Sequence, residues 1–266
     1  MSWLITGTQK VAPTVWDPYF LNTSLLLHGN LVTTSTNIVD SSPSPKTVTP
    51  VDNAQISTAI ADPFGNSTRG VLAFDGNGDY ATVPVSSNLQ FGTGDFTVEA
   101  FFYFNSFATG KKYAAITLGR GANANSTFPA NYVSCGWCFY IFNNTDITFI
   151  RNDASATYTL ISRSTTIGLG AWKHIAITRS GSTLRMFVDG SQLGASATSA
   201  LSLDAISTGG TQDLHIGKIL TGNSSEPFEP GFTATYVSYM NGYIDDLRIT
   251  KGVARYTANF TPPTAP

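Results

Sequence analysis

Cleaving a bond in a polar polymer calls first for carboxylates, and glutamate occurs in this chain only at Glu99, Glu226 and Glu229. A retaining acid pair must sit about 5 Å apart on one rigid face. Glu99 stands alone in a β-patterned segment, and Glu226-Pro227-Phe228-Glu229 lies in a Pro-rich stretch that is a poor platform for placing two groups. No Gly-x-Ser-x-Gly elbow is present either. The chain is therefore expected not to be an enzyme. The two cysteines form Cys135-Gly136-Trp137-Cys138. Zinc would need further ligands, yet His28, His174 and His215 are scattered without ligand spacing. A redox pair would open a helix, whereas the apolar run Phe139–Phe142 follows. Two thiols on or beside a strand are expected.

Asp245 shares the period-two parity of Leu247 and Ile249, which aims its carboxylate at the core. An inward carboxylate is costly unless it is paired or bound to metal. Two readings stand side by side: a cap accepting backbone N–H bonds from a loop, or a ligand of a hard cation that takes only oxygens. Asp75 and Asp79, in Asp75-Gly76-Asn77-Gly78-Asp79, are candidate co-ligands or ordinary turn residues. Tyr132, Trp137, Tyr236 and Tyr239 fall in or near expected loops. Their flat rings could stack on a sugar, or could simply pack those loops onto the body.

The elements that must position these residues are strands. Over 266 residues, 42% are hydrophobic and only 12% charged, against a usual charged share of about 25%. Ser, Thr, Asn and Gly fill the gap, as in strands joined by tight polar turns. The net charge of −2 comes without any basic run, which excludes the electrostatic footprint of a nucleic-acid binder. No stretch approaches the roughly 18 apolar residues of a membrane span, so no membrane insertion is expected. Met1–Lys10 lacks the charged-then-apolar order of a secretion leader, and none is expected.

The clearest strand is Phe96–Phe104, where Phe96, Val98, Ala100, Phe102 and Phe104 make one apolar face. Trp172–Arg179 and Thr183–Val188 read as a hairpin around Ser180-Gly181-Ser182, and Asp189-Gly190 marks a second tight turn. Further strands are expected at residues 25–27, 70–74, 80–84, 114–118, 147–150, 157–161, 214–218 and 243–250. Residues 220–238 read as a long surface loop. This spacing predicts an all-β, two-sheet antiparallel sandwich. Residues 1–20 form an N-terminal arm, 21–260 the domain, and 261–266 an extended Pro-rich tail.

Phe74-Asp75-Gly76-Asn77-Gly78-Asp79-Tyr80 followed by Phe91-Gly92-Thr93-Gly94-Asp95-Phe96-Thr97-Val98-Glu99 resembles the opening of a laminin G-like domain of the concanavalin A-like lectin/glucanase superfamily. Trp172-Lys173-His174-Ile175-Ala176 with Met186-Phe187-Val188-Asp189-Gly190 is similar to its central hairpin, and Gly242–Ile249 to its closing strand. The flanks, Asp17-Pro18-Tyr19-Phe20 with Ser24–His28 and Thr250–Pro263, resemble the laminin G-like domains of tailed-phage virion proteins. Those sequences often carry Phe-Asp-Gly after the Leu-Leu-His run, whereas His28-Gly29-Asn30 stands here.

The resemblance implies a jelly-roll sandwich and a non-enzymatic virion surface protein. Capsid decoration and tail appendage are both consistent with it, as is weak binding to a host-surface glycan. Neighbouring virion proteins and further copies of itself would be its partners. It also implies a structural calcium, held by the closing-strand Asp245 with backbone carbonyls from the chain start. Laminarinase-type relatives carry Glu-x-Asp-x-x-Glu on one strand, and no such triplet occurs here. The competing reading is a cellular carbohydrate-binding or adhesion module, with a glycoside hydrolase third.

Overall fold

A computed structural model of the chain describes residues 17–29, 33–107, 112–119, 135–142, 144–153, 157–205, 212–221 and 236–266. In chain order the first strands are β1 (Thr23–Leu27), β2 (Thr49–Val51), β3 (Gln55–Ser57), β4 (Val71–Asp75), β5 (Tyr80–Val83) and β6 (Phe96–Phe104). Next come β7 (Lys112–Gly119), β8 (Cys135–Phe142), β9 (Asp146–Asn152), β10 (Thr157–Ser164), β11 (Trp172–Ser180) and β12 (Thr183–Val188). The last are β13 (Ser191–Gln192), β14 (Ala197–Thr198), β15 (Leu214–Ile216), β16 (Lys218–Thr221), β17 (Tyr236–Tyr239) and β18 (Asn241–Lys251). One sheet runs β13-β12-β11-β6-β18-β4-β3, with β1 also on β18 and β14 also on β12. The second runs β10-β9-β8-β7-β15-β5-β2, and among the described residues β16 pairs with β17 as a separate two-stranded sheet. Every pairing is antiparallel. The expected two-sheet antiparallel sandwich is what the chain forms.

Alternation explains how the two sheets meet. Phe96, Val98, Ala100, Phe102 and Phe104 of β6 lie in the main core with Ile175 and Ile177 of β11 and Ile244, Leu247 and Ile249 of β18. Trp137, Phe139 and Ile141 of β8 and Ile147 and Phe149 of β9 answer from the second sheet. Thr97, Glu99, Phe101 and Tyr103 then point to the outer face of the nine-stranded sheet, because successive side chains alternate. The β12–β13 connection is a two-residue turn with Asp189 at φ 49 and Gly190 at φ 77, the positive angles that fit the strands' twist. Glycine is also required there by contact. A Cβ at Gly190 would lie 1.9 Å from the Phe260 carbonyl oxygen, so the C-terminal segment could not approach.

Two departures from the expected pattern matter. Strand β18 carries a bulge: Asp246 sits at φ 46, and the register with β6 shifts between Asp245 and Arg248. Asp245 pairs with Phe101 and Arg248 with Glu99, so both share the outer face while Leu247 and Ile249 stay inside. The inward orientation expected for Asp245 from simple parity is thus corrected by the one extra residue of the bulge. The single strand expected at 214–218 breaks at Gly217, where φ is 85 and a Cβ would come 2.8 Å from the Phe74 ring. The chain leaves β15 there and starts β16, so both ends of the expected 220–238 loop are strands. No helix among the described residues is long and apolar enough to cross a membrane.

Candidate functional site

The outer face of the nine-stranded sheet carries a buried polar network that begins at Glu99 of β6. Its Oε1 accepts from Arg248 Nε at 2.8 Å, and its Oε2 accepts from Tyr256 Oη at 2.8 Å and His174 Nε2 at 3.1 Å. Burial works to raise the Glu99 carboxyl, but Arg248 and His174 outweigh it and hold it down at about 2. An ionised carboxylate only accepts, so His174 Nε2 carries the hydrogen. Asp17, from the chain start, accepts two bonds from Arg255, at 2.9 and 2.7 Å. Its Oδ2 also lies 3.5 Å from Arg248 Nη1. Tyr256 stacks on Phe260 at 3.5 Å and covers the network. Glu99 therefore does not stand alone. Its partners lie 75, 149 and 157 residues away in sequence, a separation that no local pattern reports.

Beside this network opens a pocket of about 370 Å³, lined by Asp17, Phe20, Leu26, His28, Glu99, Phe101, His174, Asp246 and Arg248, with Pro263, Ala265 and Pro266 of the tail. The bulge turns Asp246 towards it, and His28 Nδ1 lies 3.2 Å from Asp246 Oδ1. Asp246 Oδ2 and His174 Nδ1 are buried without a hydrogen-bond partner.

The three aspartates of the calcium set implied by the family resemblance stand in two separate places among the described residues. Asp79 is buried, and its oxygens accept the Asn53 N–H at 2.7 Å and the Asp75 N–H at 2.8 Å. Asp75 is exposed and accepts from the Asn77 N–H at 2.7 Å. Both are turn residues, and Asp75 pairs with Asn241, four positions along β18 from Asp245. Asp245 is fully buried, with Oδ1 accepting the Gly29 N–H at 3.1 Å and Oδ2 unpartnered. Burial first, then the charge of Asp246, pushes its carboxyl up to about 7. Calcium takes six to eight oxygens, and no group of three or more His, Cys, Asp or Glu among the described residues fits a metal ion. The Gly29 N–H bond to Asp245 Oδ1 is the contact that the cap reading calls for.

The aromatic candidates divide. Trp137 is not on a loop: it lies in β8, fully buried, with Nε1 donating to the Leu89 carbonyl at 3.0 Å and its ring stacked on Phe91 at 5.1 Å. Trp137, Phe139 and Ile141 alternate, so carrying the apolar period back two residues would have placed it in the core. Tyr132 lies outside the described residues. Tyr236 begins β17, opposite Thr221. Tyr239, at the other end of β17, stacks on Tyr80 at 6.3 Å and 28°. Tyr80 also contacts His215 at 6.0 Å, and Lys218 Nζ lies 4.2 Å from the centre of its ring. This cluster of half-buried rings sits on the outer face of the seven-stranded sheet, since Ala81, Leu214 and Ile216 turn inward. Cys135 and Cys138 are buried strand residues that form no disulfide, packed with Ile150 and Ile219.

A family model described as the concanavalin A-like lectin/glucanases superfamily matches residues 75–255. No curated protein matches the chain by sequence. Among solved structures, the binding domain of Paraclostridial Mosquitocidal Protein 1 is similar at 14% identity and a TM-score of 0.56, over 88% of this chain and 49% of that one. The botulinum neurotoxin serotype D/C VPI 5993 binding domain is similar at 15% identity and a TM-score of 0.54, over 88% and 50%. Botulinum neurotoxin type C, dependent upon interaction with two ganglioside molecules to enter cells, is similar at 15% identity and a TM-score of 0.52, over 87% and 49%. At such identity the likeness is one of fold, and the chain spans about half the length of these structures.

Proposed function

The chain belongs to the concanavalin A-like lectin/glucanases superfamily, in its laminin G-like branch, and on that premise we propose that it is a non-catalytic glycan-binding module displayed on the surface of a tailed-phage particle. The observation that carries the binding half is the Tyr80–Tyr239 stack, with His215 beside Tyr80 and the buried Lys218 ammonium over the Tyr80 ring. A ring floor with a few polar groups beside it is how a small hydroxylated ligand is oriented. Catalysis is disfavoured by the state of Glu99, the only glutamate among the described residues, whose two oxygens are committed to Arg248, His174 and Tyr256. The virion half rests on the phage-like flanks. Asp17 of the first flank and Arg255 of the second are joined by two hydrogen bonds, so the two motifs work as one unit. Neighbouring virion proteins and further copies of the chain are its partners in this reading, with a host-surface glycan as ligand.

A glycan array tests the binding half. Signal on at least one glycan, lost in Tyr239→Ala with the fold intact, supports it; no signal on any glycan ends it. Immunogold electron microscopy with antibody raised against the chain tests the virion half. Label on heads or tails supports it and separates decoration from adhesion. Unlabelled particles leave only the lectin-like module.

A further inference from the structure

Asp246, His28 and Ser41 form a hydrogen-bonded row that neither the Glu99 network nor the tyrosine face uses. Asp246 Oδ1 lies 3.2 Å from His28 Nδ1, and His28 Nε2 lies 3.0 Å from Ser41 Oγ. A carboxylate only accepts, so Nδ1 carries the hydrogen. In the neutral ring, Nε2 then holds the lone pair that accepts from the Ser41 hydroxyl. Carboxylate, imidazole and hydroxyl in that order is the arrangement that turns a serine oxygen into a nucleophile.

The three residues lie 13 and 218 positions apart in sequence, and local devices on three segments bring them together. His28 directly follows β1. Ser41 is held beside it, because Leu27 bridges to Asp40 and the Ser41 N–H donates to the Leu26 carbonyl at 2.8 Å. Asp40, only 3% exposed, locks that turn by accepting the N–H groups of Leu26 at 3.0 Å, Ser42 at 2.9 Å and Lys46 at 2.7 Å. The bulge in β18 supplies Asp246 at φ 46. The His28 and Asp246 side chains are 14% and 12% exposed and Ser41 is half-buried, so the row is sheltered yet within reach of a small reagent.

The same turn limits what the serine can do. Acyl transfer builds an oxyanion, and each donor aimed at it is worth roughly 100- to 1,000-fold in rate. The N–H groups of Ser41 and Ser42, adjacent in the chain to the nucleophile, are already given to the Leu26 carbonyl and Asp40 Oδ1. Plain esters and amides therefore lack that help, while an acyl group on a good leaving group needs less of it. We propose that Ser41 is a covalent acceptor for activated acyl groups, with thioesters as the donor class. Ser41 Oγ attacks the carbonyl carbon. As the C–O bond forms and the C–S bond breaks, the hydroxyl proton passes through His28 Nε2 to the departing sulfur. The product is an alkyl ester, which the committed amides leave in place, so one acyl group is held per chain. This outcome is compatible with a non-catalytic module and makes no use of the tyrosine face.

Incubation of the full chain at pH 8 with S-acetyl-N-acetylcysteamine, and separately with p-nitrophenyl acetate, followed by peptide mapping, tests it. Ser41 is expected to be acetylated at least tenfold faster than Ser44, an exposed serine three positions on. The Ser41 rate is expected to fall at least tenfold in His28→Gln, which keeps a polar side chain but removes the base. It should also fall in Asp246→Asn, where asparagine still tolerates positive φ but the carboxylate that fixes the tautomer is gone. Melting curves establish that both variants fold, and the Ser41-to-Ser44 ratio in the unaltered chain needs no variant. No acetyl group on Ser41, or equal rates at the two serines, overturns the proposal. Acetylation undiminished in His28→Gln also overturns it and leaves the row as a structural tie. Release of nitrophenolate well beyond one equivalent per chain, lost in Ser41→Ala, overturns the acceptor reading in favour of a turning-over esterase.

Discussion

At the scale of single residues, Asp245 is the most informative. It is fully buried, with one oxygen unpartnered and a second aspartate next to it. Its folded carboxyl titrates at about 7 against an ordinary 3.8. A raised acid binds its proton more tightly when folded, so its contribution is fully present below pH 3.8 and is lost as pH climbs to 7. The size of that loss is about 4 kcal/mol. Asp245→Asn keeps an acceptor for Gly29 N–H and removes the titration. Urea unfolding of the variant should show a stability gain at pH 8 and little change at pH 4. An equal effect at both values would show that the aspartate does not titrate in this range. Bound calcium would reverse the sign by favouring the ionised form, so a chelator is expected to leave the melting temperature at pH 8 unchanged. A drop on chelation would show that carbonyls complete a metal site around Asp245 after all.

Among elements, β11 shows how strand and loop are tied. Arg179 pairs with Phe96 and therefore faces inward, yet it is only 1% exposed. Its guanidinium donates to the carbonyls of Gly92, Gly94 and Leu201 and lies 5.2 Å over the Phe96 ring. Burial lowers its pKa, and Asp95 and Asp204 oppose that. Arg179→Met keeps the stem and deletes the donors, so unfolding in urea should show a loss of about 2 kcal/mol at an unchanged m-value. A loss below about 0.5 kcal/mol, the range of ordinary surface substitutions, would make the guanidinium a passenger. The strands themselves were legible. Phe96–Phe104 runs as read, and the Trp172–Val188 hairpin and the Asp189-Gly190 turn appear in place, because alternation and turn chemistry are local. What was not legible is long-range. The bulge at Asp246 has no marker beyond the Asp245-Asp246 pair, aspartate being one of the few residues that tolerate positive φ. It alone decides which face Asp245 takes. Trp137 was misplaced because a turn-like Cys-Gly start hid the alternation that follows it. Of the aromatic candidates, Tyr239 is the one seen among the described residues in a ring cluster outside the core, and its partner Tyr80 lies 159 positions earlier in a segment that looked like any edge strand.

Across the whole molecule, the outer face of the nine-stranded sheet is where the chain's two ends are tied to its middle. Asp17 holds Arg255, Arg248 links Asp17 to Glu99, and Tyr256 and His174 complete the set. Glu99 has a folded carboxyl at about 2 against an ordinary 4.5. A depressed acid contributes stability that is present above pH 4.5 and is lost as pH falls through 2, about 3 kcal/mol in all. Asp17 is depressed as well, through its Arg255 bonds acting against burial, and adds in the same direction. Asp245 acts oppositely between pH 3.8 and 7. The two limbs cross, so unfolding free energy measured from pH 2 to 8 should peak near pH 4 to 5, rather than at neutrality. The limbs should also separate by mutation. Glu99→Gln flattens the acid side while leaving the fall towards pH 7, and Asp245→Asn does the converse. A wild-type maximum at pH 7, or an acid limb that persists in Glu99→Gln, would mean that other carboxylates govern the response and that the network around Glu99 is not what fastens the chain ends to the sheet.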